Sequence, residues 1–134
     1  MSLTAGDHSA GHVRRIVRAY LEAWHLEEMI DSIQLGTTEL LANVVRHVPG
    51  RRCDFALLWL PWGARVEVSD GAAAMPRMPQ PAEFAPPQDT DELDEGGRGL
   101  ILIDGISRRW GVVPLSPQGK TVWFECETKH TALP

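Results

Sequence analysis

Long hydrophobic runs are missing from this chain. None of its 134 residues belongs to a stretch approaching the roughly 18–20 consecutive apolar positions that a membrane-spanning helix requires. The opening segment MSLTAGDHSAGHVRR has no apolar signal core, so the sequence predicts a cytoplasmic protein without a membrane partner. Cysteine is limited to Cys53 and Cys126, far apart and in no metal-ligand spacing, and each sits among strand-forming residues. Buried, reduced thiols are expected there. An excess of positive charge is missing too. The net charge is -5, and the run of Arg14, Arg15 and Arg18 is followed by Glu22, Glu27 and Glu28. That pattern reads as a solvated helix face and argues against nucleic acid as the direct partner, because neutralising phosphates needs a basic surface.

What is present suffices for one folded domain. An apolar share of 43% can build a core. Val13, Ile16, Val17, Tyr20, Leu21 and Trp24 recur at three- and four-residue steps, which predicts a helix from Ala10 to about Trp24. A second helical run extends from Leu26 to Val48, with Ile30, Ile33, Thr37, Leu41, Val44 and Val48 as its inner stripe and Gly36 as a candidate notch. Pro49-Gly50 stops it. CDFALLWL, the turn PWG and ARVEVSDG then read as a hairpin. Its first strand is nearly all apolar and expected to be central and buried, while its second alternates Val66 and Val68 against Arg65, Glu67 and Ser69. Residues 72–96 carry Pro76, Pro79, Pro81, Pro86 and Pro87 and a cluster of acids, which predicts a long loop. A helix follows from Gly97 through GRGLILIDGIS, and RWGVVPL, SPQGK and TVWFECE form a second hairpin. Trp59, Trp110 and Trp123 fall on strands, Trp24 is expected between the first two helices, and Trp62 is expected at the surface. Helices set apart from hairpins imply an α+β fold, with helices stacked on one face of a sheet. Residues 1–9 and 128–134 are expected to be flexible ends around a domain spanning 10–127.

Four segments have chemical potential. In ELLANVVRH, Glu39 and Asn43 stand one helical turn apart and share a face displaced from the apolar stripe. A carboxylate there can take a proton, and an amide oxygen can join a Mg²⁺ shell; two ordinary surface residues would look the same. Asp70, at a strand end before Gly71, can accept from an exocyclic amine or serve turn chemistry. Gly97 and Gly99 flank Arg98 at a helix start, where bare N–H groups suit phosphate. Gly119 ends the second hairpin turn, and Thr121 opens the last strand.

In their order and spacing, these segments resemble the histidine-kinase-like ATPases, and within them the small bacterial anti-sigma-factor serine kinases. The resemblance covers about residues 10 to 127. It implies a two-layer sandwich in which a mixed, mostly antiparallel sheet lies under three helices, with ATP and Mg²⁺ held between helices and a lid formed by 72–96. Residue by residue, it implies Glu39 as general base, Asn43 as Mg²⁺ ligand, His47 near the nucleotide and Asp70 as the adenine-reading carboxylate. Gly97, Arg98, Gly99 and Leu100 would close over the phosphates, and Thr121 would support the adenine pocket. Two departures stand out: Ala72 and Ala74 occupy the glycine positions of the family's D-x-G-x-G box, and Glu95 stands where serine-kinase members often have arginine. The function implied is transfer of phosphate from ATP to a serine of an anti-anti-sigma protein, coupled to binding a sigma factor. The alternative is a non-catalytic nucleotide-binding anti-sigma or adaptor module. A homodimer is expected on the same ground.

Overall fold

The computed structural model describes residues 1–72 and 98–128, and for 98–100 the backbone alone. Helix α1 covers Asp7–Ala23 and buries Val13, Val17 and Leu21, the inner positions of the predicted stripe. It ends in a Schellman motif. The N–H of Leu26 donates to the Leu21 carbonyl at 2.8 Å and that of His25 to Glu22 at 3.1 Å. His25 takes the left-handed conformation (φ 59°) that such a helix end demands. A 3-10 turn at Glu27–Met29 leads into α2, Ile30–His47. Ile30, Ile33, Thr37, Leu41, Val44 and Val48 are all buried, as their spacing predicts.

Helix α2 runs unbroken through Gly36, so the expected notch is absent. The glycine serves packing instead. A Cβ at position 36 would lie 2.4 Å from Cζ of Phe124, whose side chain is fully buried. Gly36→Ala therefore sets a gain of about 1 kcal/mol in helix propensity against an overpacking cost of about 1–3 kcal/mol. The ring has nowhere to retreat, so the cost wins. A net destabilisation of about 1–2 kcal/mol is expected in urea unfolding; a more stable variant would mean that the ring gives way.

Five strands form the second layer: β1 Ser2–Thr4, β2 Arg52–Leu60, β3 Gly63–Asp70, β4 Arg109–Pro114 and β5 Lys120–Glu127. Their order is β1-β2-β3-β5-β4, and every described pairing is antiparallel rather than mixed. Tight hairpins impose this: Leu60 pairs with Gly63 across Pro61-Trp62, and Pro114 pairs with Lys120 across the second turn. Residues 2–4, expected to be flexible, pair with 52–54 as an edge strand. The apolar β2 is not the central strand. It lies beside this three-residue edge, and Leu58 and Trp59 are exposed; β3 is central and alternates as its sequence predicts. Trp59 stacks on Trp24, with ring centroids 5.6 Å apart, so Trp24 reaches the sheet rather than filling the gap between helices.

Helix α3, Arg98–Ile106, completes a helical layer in which α2 packs against both α1 and α3 and rests on β3 and β5. The core between layers joins Val17, Leu21, Ile33, Leu40 and Leu41 to Val66, Val68, Ile103, Val122 and Phe124. Cys53 and Cys126 are buried in it as free thiols, and burial pushes both up to about 11, which leaves them unreactive at neutral pH. No helix among the described residues is long and apolar enough to cross a membrane. The expected lid at 72–96 lies, apart from Ala72, outside the described residues, as do 129–134.

The opposite sheet face is held by charge. Glu125 is 2% exposed and accepts from Arg65 Nη1 at 2.9 Å and Arg109 Nε at 2.5 Å, while Arg65 also bonds Glu67 and lies 4.0 Å over the Trp123 ring. Burial raises the affinity of Glu125 for a proton, but the two guanidinium bonds outweigh it, and its pKa falls below the ordinary carboxylate value. A group with a depressed folded pKa stabilises fully above its unfolded pKa of about 4.3, and this is lost as pH falls through the folded value. Glu125→Gln is expected to lower Tm at pH 7, with the difference from wild type shrinking below about pH 4. A difference independent of pH would refute the assignment.

Candidate functional site

The end of α2 and the end of β3 converge below the second hairpin. His47 is exposed at the last turn of α2 and, with Val48, Pro49, Arg52, Gly71, Ala72 and Gln118, lines a cavity of about 560 Å³. Asp70 lies in an adjoining depression of about 410 Å³ that shares Arg52, Gly71 and Gln118. Arg52 and Gln118 were not singled out from sequence. Each is one polar residue at a strand start or turn, and only the meeting of β2, β3 and the hairpin places them at a cavity.

Glu39 and Asn43 stand farther back along α2, half-buried beside the stripe, and line neither cavity. Glu39 makes no hydrogen bond or ion pair with the described residues. Asn43 is divided. Its Oδ1 accepts from Arg46 at 2.8 Å, an exposed bond, while its Nδ2 is buried with no partner among the described residues. A buried N–H without an acceptor costs about 1–3 kcal/mol, so it is a place where a ligand acceptor would be gained.

Asp70 is on the helix-facing side of β3 with Val66 and Val68, and it is 8% exposed. Its Oδ1 accepts from the Ala72 N–H at 2.9 Å, so the turn chemistry that Asp-Gly suggests is realised. The same oxygen accepts from Lys120 Nζ at 3.0 Å; the two side chains are 3% and 6% exposed. Lys120 is the cross-strand partner of Asp70. Gly119 holds this turn against β3 with φ 108°, and a Cβ there would come within 2.5 Å of the Asp70 carbonyl oxygen.

Thr121 is placed differently from expectation. It pairs with Ser69, their hydroxyls 2.7 Å apart, on the sheet face opposite Asp70. Successive strand residues point to opposite faces, so the register that brings Lys120 to Asp70 turns Thr121 away from it. Arg98, Gly99 and Leu100 open α3, as the sequence predicts for a helix start, whereas Gly97, Ala74 and Glu95 lie outside the described residues. Among the described residues no group of three or more His, Cys, Asp or Glu could hold a metal ion unaided. A Mg²⁺ ion would depend on few protein ligands, the rest coming from phosphate and water.

No curated protein matches the chain. The layering, the strand order and the α2–β3 convergence carry nearly the whole sequence, and a family model described as the histidine kinase-like ATPase domain matches residues 3–126. The chain therefore belongs to the histidine kinase-like ATPase family.

Proposed function

We propose that this domain is an ATP-dependent protein kinase of the anti-sigma type, transferring phosphate to a serine of an anti-anti-sigma partner and binding a sigma factor in alternation with it. The observation carrying this reading is Glu39, a half-buried carboxylate with no partner among the described residues, one turn from the orphaned Nδ2 of Asn43. A carboxylate that no described residue engages is free to act as a base. Asn43 fits the phosphate end: its amide lacks an acceptor, and the Arg46 bond on its Oδ1 is at the surface, where exchange for a metal ligand costs little.

In this reading Glu39 orients the partner's seryl hydroxyl and takes its proton as that oxygen becomes the nucleophile. Asn43 Oδ1 would hold the metal end, once freed from Arg46. The backbone N–H groups opening α3 would stabilise developing negative charge. When bound, ATP with Mg²⁺ supplies the transferable phosphoryl group, and ADP departs.

A second reading, a nucleotide-binding anti-sigma or adaptor module without transfer, is favoured by the Asp70–Lys120 pair and by Ala72 at a glycine position. Incubation with γ-labelled ATP, Mg²⁺ and candidate anti-anti-sigma proteins separates the two. Label on a partner serine supports the kinase. Tight nucleotide binding with no labelled partner supports the module, and no calorimetric signal with ATP or ADP sinks both.

A further inference from the structure

We propose that Lys120 is a specificity-determining residue that keeps the nucleobase from being read, so that this site takes a nucleoside triphosphate by its phosphates with little regard to the base. The inference rests on the nucleotide-binding reading above and concerns only its base end.

Asp70 is the carboxylate placed to accept from an exocyclic amine, yet its Oδ1 is already committed. Lys120 Nζ and the Ala72 N–H both donate to Oδ1, one from the neighbouring strand and one from the turn just after Asp70, and together they hold the carboxylate in place. The ion pair is built in, not a surface accident. Asp70 and Lys120 are register partners on neighbouring strands. Gly119 permits the tight turn just before Lys120, and Gln118 Nε2 donates to the Gly71 carbonyl at 3.1 Å, tying the same turn to the end of β3. With both side chains nearly inaccessible to water, neither charge can trade its partner for solvent.

A neutral amine on a base must compete with a full positive charge for Oδ1 and lacks the ion-pair attraction that Lys120 adds to its hydrogen bond, while at Oδ2 it meets a carboxylate whose charge the adjacent ammonium already offsets. Displacing Lys120 would also strand a buried ammonium. The base therefore gains little from Asp70 while Lys120 is present. Replacing Lys120 with an apolar side chain of similar length leaves a buried carboxylate whose best remaining partner is an amine-bearing ligand.

The test is calorimetric titration of the full chain with the Mg²⁺ complexes of ATP, ITP and UTP, the last two lacking an exocyclic amine, for wild type, Lys120→Met and Lys120→Arg. Wild type is expected to bind the three within about threefold, Lys120→Arg likewise, and Lys120→Met to prefer ATP over ITP and UTP by about tenfold or more, one additional hydrogen bond to a charged acceptor. Wild-type preference for ATP above tenfold overturns the proposal even if Lys120→Met fails to fold, and leaves nucleotide binding standing. So does a Lys120→Met protein that binds with unchanged selectivity. Absence of binding to any triphosphate by wild type removes this proposal together with the cleft assignment.

Discussion

Asp70→Ala is expected to destabilise the fold by about 3–5 kcal/mol, because it leaves the Lys120 ammonium buried without its counter-charge. The side chains are 3% and 6% exposed, so water cannot take over the lost bond, and the Ala72 N–H loses its acceptor as well. Total stability for a domain of this kind is about 5–15 kcal/mol, so the loss is a large share of it. For a chain of this length it corresponds to a fall in Tm of roughly 10–20 °C. Replacing both partners with apolar residues, Asp70→Leu with Lys120→Met, is expected to recover much of the loss, since a well-packed apolar pair is often as stable as a buried ion pair. Thermal unfolding of the two variants side by side decides the matter. A single variant within about 1 kcal/mol of wild type would show that Lys120 reaches solvent and that the pair is not an enclosed one.

Glu39→Gln is expected to reduce phosphotransfer by about 10²–10⁴-fold, the usual contribution of a positioned general base, or about 3–5 kcal/mol of barrier. The amide keeps the size of the side chain and removes its basicity. Because Glu39 makes no bond with the described residues and the amide is isosteric, the substitution is expected to leave stability within about 0.5 kcal/mol of wild type. Nucleotide affinity is expected to stay within a few-fold, since the carboxylate acts on the acceptor hydroxyl and not on the phosphates. Single-turnover transfer and calorimetric binding, measured on the same preparation, separate these effects. Transfer at the wild-type rate would assign the base to another residue, and loss of binding together with transfer would make Glu39 part of the nucleotide cradle.

The elements were legible where periodicity is strong. The stripe from Ile30 to Val48 predicted a helix and its buried face residue by residue, and the alternation of Val66 and Val68 with Arg65, Glu67 and Ser69 predicted the two faces of β3. Less legible was what each apolar run packs against. CDFALLWL has the composition of a central strand, but composition does not report neighbours, and β2 ended beside a three-residue edge with Trp59 in the open. Gly36 illustrates the same limit. A mid-helix glycine suggests a break, and only the Phe124 ring, 88 residues later in the chain, explains why a smooth helix keeps it.

At the site, sequence alone determined which residues share one helix face, because a spacing of four sets Glu39, Asn43 and His47 on successive turns whatever surrounds them. It also pointed to the family, through the order and spacing of segments along about residues 10 to 127, and the family model matches residues 3–126. The tertiary structure decided what those residues meet. A strand alternates faces, so a register one residue different would have put Thr121 against Asp70; the turn held by Gly119 put Lys120 there instead. Pairing across strands depends on where two distant segments stop sliding past each other, and that is settled by packing of the whole sheet against its helices, not by either segment on its own.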